Sequence, residues 1–326
     1  MLLAKDQWGN LVLASEYQYQ TRRKLYCPGC SQKVIFKCGL EKIPHFAHCK
    51  NQDCQHFSEG ETKEHLAGKQ LLKKILPADT QVEAYLPSLA QRPDLLWRNL
   101  AIEFQCSPLS RQRFKARTQN YLEHNYHPWW IVGQRFFPNK ICSQLAKGCL
   151  QDSPVGPVLW GLDVGKGEIL FFHSFDWHYQ FGMSYEVKKG SAPLFDELFW
   201  LTQKMKTPAS DWVWWQYQRI LQMKLFRKEQ SILQLQGLGY CHYINLLDLP
   251  QWCYGPSCHQ FLLQEKILLL RGLFLKVRNF DDWFSLVLQI MDWPYLLVDQ
   301  KQVLNDVFTE CQRLYKRNQS RGTRKF

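Results

Sequence analysis

The chain has 326 residues, 45% of them hydrophobic, which is enough for more than one packed domain and too many for a disordered chain. Forty-one Lys and Arg against twenty-nine Asp and Glu leave a formal charge of +12, which favours a polyanionic partner, either nucleic acid or an anionic membrane surface. No apolar run reaches the roughly 18 to 20 residues of a membrane span and the opening "MLLAKDQWGN" has no signal-peptide pattern, so a cytoplasmic protein is expected, with its twelve cysteines metal-bound or reduced.

Changes of pattern divide the chain into residues 1–57, 58–156 and 157–326. The first block is strand-like and rich in Cys and His. "CPGC" at Cys27 to Cys30 is a CxxC knuckle, and "HFAH" adds His45 and His48 beyond fourteen intervening residues. Two thiolates and two imidazoles suit one tetrahedral Zn²⁺. Cys38, Cys49 and Cys54 are alternatives to a histidine, because His45 could instead be a core residue beside Phe46. A redox CxxC would open a helix after a buried strand, but "VIFKCG" after Cys30 looks like a strand, which favours structural zinc.

In the second block "SEGETKEHLAGKQLLKKIL" has Ser58 and Glu61 at capping-box spacing and ends at Pro77, so it predicts a helix. "QVEAYLP" and "RPDLLW" predict short strands, and "LAIEFQC" a third after a tight turn at Arg98–Asn99. A helix entered through Ser107 and Pro108 and a buried strand "PWWIVG" complete an α-β-β-β-α-β order, in which the last strand lies parallel to the third.

Alternation along "LAIEFQC" puts Ala101, Glu103 and Gln105 on one face and the apolar Ile102, Phe104 and Cys106 on the other. With the turn at Arg98–Asn99, Asp94 on the partner strand falls level with Glu103 or Gln105. Adjacent carboxylates repel unless a cation sits between them, and Mg²⁺ or Mn²⁺ is bound by such a set together with waters and substrate phosphates. A polar hairpin face that simply meets water is the alternative. Glu64, Gly68, Leu71 and Ile75 share one helix face, which makes Glu64 a third acidic candidate, with Gly68 permitting close approach to the sheet. His65, Lys69 and Glu61 lie on the adjoining face, where an exposed ion-pair stripe is expected.

Helix Glu64, "RPD" ending in Asp94 and "EFQ" with Glu103 and Gln105 resemble the PD-(D/E)xK nuclease superfamily in its ExQ variant. "YCPGC", "PHFAH", "KEHLAGK", "RPDLLW", "AIEFQCS" and "PWWIVG", in that order over about residues 1 to 135, are similar to the competence protein CoiA family of Gram-positive bacteria. The resemblance implies a restriction-endonuclease-like core that processes or handles incoming DNA in natural transformation, upstream of homologous recombination. Asp94 and Glu103 would hold the divalent metal, Gln105 would position water and Glu64 would assist. Gln105 stands where the superfamily usually has Lys, and an amide cannot take a proton as a general base. That substitution keeps open a second reading: a silent nuclease fold that grips DNA and recruits recombination proteins such as RecA and DprA.

The helix after the hairpin carries Arg113 and Arg117 on one face, with Tyr121 a turn beyond, and the resemblance favours Arg117 and Tyr121 as DNA contacts. The third block begins with a few strands and becomes helical and aromatic. Cys241, Cys253 and Cys258 with His242 and His259 are spaced too irregularly for a second zinc site, so buried free cysteines are expected. "DWVWWQYQRI" is expected to pack a helical core, an exposed subset aside, and the basic tail "RLYKRNQSRGTRKF" to be disordered. The expected architecture is therefore a zinc-binding N-terminal module, a central α/β nuclease-like domain and a mostly helical C-terminal domain.

Overall fold

A computed structural model of the chain describes residues 1–18, 23–39, 42–49, 62–139, 142–154, 156–190 and 212–322. Its N-terminal part is a five-stranded antiparallel sheet of β1 (Leu3–Asp6), β2 (Leu11–Leu13), β3 (Leu25–Tyr26), β4 (Lys33–Gly39) and β5 (Lys42–His48), in the order β2-β1-β3-β4-β5. Ala4, Leu25, Val34 and Phe46 form its small core.

Helix α1 (Lys63–Ile75) follows. Its cap is Thr62, whose hydroxyl accepts from His65 N at 3.1 Å. Ser58 and Glu61, expected as the capping box, lie outside the described residues, as does Cys54. A seven-stranded sheet comes next: β6 (Gln81–Val82), β7 (Leu95–Trp97), β8 (Leu100–Gln105), β9 (His127–Gly133), β10 (Leu159–Asp163), β11 (Glu168–His178) and β12 (Gly182–Gly190), ordered β12-β11-β10-β9-β8-β7-β6. β8, β9 and β10 are mutually parallel and every other pairing is antiparallel. The hairpin turn falls at Arg98–Asn99, where Arg98 takes the left-handed φ of 54°. The α-β-β-β-α-β order is present, with α2 (Arg111–Glu123) between β8 and β9. Because β10 to β12 extend the same sheet, the α/β unit runs past the expected end at residue 156.

Helices cover both sheet faces, so the central parallel strands are buried on both sides. α1 covers the face of Ile102, Phe104, Trp129 and Ile131, and Gly68 is the contact that brings it close: a Cβ there would lie 2.2 Å from the Phe104 ring. α2, α3 (Gln144–Cys149) and the C-terminal helices cover the face of Trp130, Val132 and Leu159. This corrects the expected solvent-facing acidic side of the hairpin. Every residue from Ala101 to Cys106 is buried, Glu103 at 2% exposure, because β8 is an interior strand roofed by α2.

The C-terminal part is helical: α4 (Trp214–Phe226), α5 (Gln230–Cys241), α6 (Gln260–Leu263), α7 (Lys266–Lys276), α8 (Phe280–Ile290) and α9 (Gln300–Gly322). The tail expected to be disordered is helical through Gly322, anchored where Arg278 donates to Tyr315 Oη at 2.7 Å. Of the three cysteines expected to be buried, Cys253 is a buried thiol but Cys241 and Cys258 are exposed; His259 pairs with Asp306 at 2.9 Å, and buried Arg271 pairs with Glu310. Among the described residues no second Cys/His metal group forms there. No described helix is long and apolar enough to cross a membrane.

Candidate functional site

Asp94 and Glu103 are brought together by hairpin register. Leu95 pairs with Ile102, so Asp94, just before β7, is level with Glu103 on β8. Asp94 Oδ2 accepts from Phe104 N at 2.9 Å and lies 2.9 Å from His65 Nε2 on α1, while Lys69 Nζ is 3.8 Å from Oδ1. Burial opposes ionisation, but His65 and Lys69 together with the hydrogen bonds outweigh it and hold Asp94 well below the usual carboxylate range.

Glu103 points toward α2. Arg117 and Tyr121 both donate to its Oε1, Tyr121 at 2.6 Å, and the Arg117 guanidinium also lies 5.5 Å from the Trp130 ring centroid. Burial is the largest influence on Glu103; Arg117 opposes it and Asp94 adds to it, leaving the carboxyl raised to about 7. The residues expected to grip DNA are thus turned inward, since Tyr121 is fully buried and Arg117 is committed to Glu103. Of that set only Arg113 is on the exposed surface of α2. The 3.6-residue repeat put Arg113 and Arg117 on a shared stripe, but Arg117 lies at the border where the helix meets the sheet.

Gln105 Nε2 donates to Ser107 O at 2.6 Å, which leaves its carbonyl oxygen as the acceptor toward anything bound at the hairpin. Glu64 is half-buried over the ends of β8 and β9. A Cβ on Gly133 would meet Glu64 Oε1 at 2.8 Å and Cys106 Cβ at 2.6 Å, so Gly133 is what makes room for it. Among the described residues Glu64, Asp94 and Glu103 do not close into a three-ligand group within 4.8 Å. Even so, the donor chemistry fits a hard cation. Both hydrogen bonds to Asp94 fall on Oδ2 and both to Glu103 on Oε1, so each keeps a second oxygen outside these bonds.

Glu83 and Arg92, which sequence reasoning passed over, complete the cluster together with Lys69. Glu83 is buried at 1% and takes a left-handed φ of 50°. It accepts from Leu2 N at 2.8 Å, Leu3 N at 3.2 Å and Arg92 Nη1 at 3.1 Å, and from Lys69. Burial resists its charge, but Arg92 and Lys69 hold it well below the usual carboxylate range. Lys69 was expected on an exposed stripe and is fully buried, standing between Glu83 and Asp94. Their signal was only a lysine one turn after His65 and an acid inside a strand pattern.

In the N-terminal sheet, Cys27, Cys30 and His48 place one ligand atom each within 4.8 Å of one another, with Cys30 Sγ 3.2 Å from His48 Nε2. Burial pushes His48 down, which keeps the imidazole in its neutral, ligating form. His45 is not in the group. Three residues apart on a strand means opposite faces, and His45 Nδ1 turns to Ile43 O at 2.8 Å while the next residue, Phe46, fills the core. Cys38 is exposed and Cys49 is also outside the group. The donor set of two thiols and an imidazole fits zinc.

The central unit is thus an α/β domain with an acid pair at its central hairpin. Residues 61–188 match the family described as "Competence protein CoiA, nuclease-like domain", and residues 13–57 match "Competence protein CoiA, N-terminal domain". The competence protein CoiA of Bacillus subtilis (strain 168) is 36% identical over 131 residues, which are 38% of this chain and 35% of that protein. No solved structure matches the chain. The chain belongs to the competence protein CoiA family, and is a competence-related protein with a nuclease-like domain.

Proposed function

We propose that this protein handles incoming DNA during natural transformation, and that its central domain is a PD-(D/E)xK-type core in the ExQ variant, acting on DNA phosphodiesters with Mg²⁺ or Mn²⁺. The carrying observation is that Asp94 lies level with Glu103 across a two-residue turn, each with one carboxylate oxygen outside the hydrogen bonds. Asp94 and Glu103 would hold the ion, with Glu64 reaching in from α1. A bound divalent ion supplies charge for the phosphate and acidifies a water. His65 and Lys69 orient Asp94, Arg117 and Tyr121 orient Glu103, and the Gln105 carbonyl accepts from a water without taking its proton. Cys27, Cys30 and His48 would hold a structural Zn²⁺ in the N-terminal module, with a fourth ligand still to be assigned.

The test is cleavage of single-stranded, duplex and branched DNA by the full chain with Mg²⁺ or Mn²⁺. Metal-dependent cutting that Asp94→Ala and Glu103→Ala abolish, with zinc content unchanged, is the expected result. Two observations favour the second reading, a scaffold that grips DNA and recruits recombination proteins such as RecA or DprA: Glu103 is already paired with Arg117, and Gln105 replaces the usual lysine. DNA binding without cutting in any metal, lost with the same alanines, would establish the scaffold. A cytoplasmic location accords with both.

A further inference from the structure

The helical hairpin of α4 and α5 carries a surface that none of this uses. Most of the aromatics of "DWVWWQYQRI" are core residues: Tyr217 is 1% exposed, and Trp212 and Trp214 are partly buried against the same cluster. Trp215 is not; it is 50% exposed, with Phe226 at 88% farther along α4 and Tyr240 at 60% on α5. Trp215, Arg219, Gln222 and Phe226 recur at intervals of four, three and four residues, so they form one stripe rising roughly 16 Å along the helix. All four are exposed, as are Arg227 and Lys228 at its end.

The charge on this hairpin is predominantly positive. From Trp212 to Tyr243 the sequence has four cations and a single carboxylate, Glu229, and one of those cations, Lys224, is paired with Glu265 at 2.6 Å. A face that buries apolar area against another protein leaves its charged rim mixed or sparse, whereas aromatic rings interleaved with unopposed Arg and Lys match a ligand with flat apolar faces strung on a polyanion. Duplex DNA keeps its base faces stacked and hidden, so the rings select unpaired bases.

We propose that the exposed face of the α4–α5 hairpin binds single-stranded nucleic acid, with Trp215, Phe226 and Tyr240 stacking on bases and Arg219, Arg227 and Lys228 contacting phosphates. The surface is separate from the Asp94–Glu103 pair and does not depend on its being catalytic. The full chain is titrated into fluorescein-labelled oligo(dT), followed by anisotropy at several salt concentrations. Each ring removed by Trp215→Ala or Phe226→Ala weakens binding roughly 5- to 150-fold without changing the salt slope, and Trp215→Tyr keeps most of the affinity. Arg219→Gln, Arg227→Gln and Lys228→Gln each flatten the slope by about 0.7. The Trp215→Ala/Phe226→Ala variant leaves Asp94 and Glu103 untouched, so its oligo(dT) affinity tests this surface while cutting by the alanine variants of that pair tests the other reading, and the two fail separately. Because these side chains are exposed, circular dichroism and melting of the variants match wild type. Unchanged oligo(dT) affinity in Trp215→Ala/Phe226→Ala overturns the proposal. So does conversion of a dimer to a monomer in sedimentation with oligo(dT) affinity unchanged, which would make the face a contact between copies of the chain.

Discussion

Arg117→Met takes the guanidinium off Glu103 while leaving an apolar stem against Trp130. The pair is largely desolvated, with side-chain exposures of 22% for Arg117 and 3% for Glu103. Removing one partner of a buried ion pair costs about 3–5 kcal/mol because the other charge stays buried. Tyr121 still donates to Glu103 Oε1 at 2.6 Å, and a hydrogen bond to an ionised group is worth about 1.5–3 kcal/mol, so the low end of that range, about 3 kcal/mol, is expected where Glu103 is ionised. Burial already leaves Glu103 raised to about 7 from an ordinary 4.5, and loss of Arg117 raises it further. A carboxyl whose folded-state value is raised contributes stability below its unfolded value and loses it as pH climbs through the folded one. The variant's deficit is therefore small near pH 5 and grows above about pH 7, by about 1.4 kcal/mol for each unit while Glu103 stays protonated in the variant, so it is plainly larger at pH 8 than at pH 5. Urea unfolding followed by far-ultraviolet circular dichroism at those two pH values measures it, and Glu103→Gln in the same background should recover the loss to within about 1 kcal/mol. A deficit equal at both pH values, or a double variant no more stable than Arg117→Met, would refute the buried-charge account.

Elemental analysis should find about one zinc per chain, lost in His48→Ala and kept in His45→Ala; the reverse pattern would restore His45 as the ligand. Gly68→Ala forces a methyl to within 2.2 Å of the Phe104 ring and should cost about 1–3 kcal/mol by calorimetry, whereas wild-type stability would mean that α1 does not sit against β8 there. Glu83→Gln leaves Lys69 and Arg92 buried without their anion and should cost about 3–5 kcal/mol at neutral pH, with faster proteolysis of the N-terminal sheet that Glu83 holds through Leu2 and Leu3. Since Glu83 is depressed in the fold, its contribution is present above about 4.5 and disappears as pH falls through the folded value, so the variant and wild type should converge in acid.

Much of the central domain was legible because its signals are local. Turn residues at Arg98–Asn99, a two-residue alternation in "LAIEFQC" and an apolar "PWWIVG" are properties of short windows, and they put Asp94 level with Glu103 or Gln105, of which the pairing of Leu95 with Ile102 selects Glu103. What covers each strand face is not local. Alternation said that Glu103 and Ile102 point in opposite directions, but only the return of the chain through α2 decides that the Glu103 side is roofed and that Arg117 and Tyr121 serve it. The same limit explains His45. "HxxH" puts two ligands on one side of a helix and on two sides of a strand, so the motif could not be read before the strand was known. The extension of the sheet into β10 to β12 rests on pairings to β9 that no short window carries.

Buried charge explains how the acidic site can exist at all. Asp94, Glu103 and Glu83 would be untenable together in an interior, yet Lys69, Arg92 and Arg117 approach them one for one, and His65 adds a fourth contact at Asp94. The cluster is thus close to neutral before any metal arrives. On the proposed reading Asp94 and Glu103 would hold a divalent ion, with Lys69 3.8 Å from Asp94 Oδ1 and Arg117 already paired with Glu103. Arg117 would therefore separate the two proposed readings: released from Glu103 it would free a ligand and offer a cation to a phosphate, and retained it would neutralise the carboxylate that the proposed metal site needs. Tyr121, fully buried and bonded to the same oxygen, holds Glu103 in place in either case, so the tyrosine belongs to the internal architecture of the site.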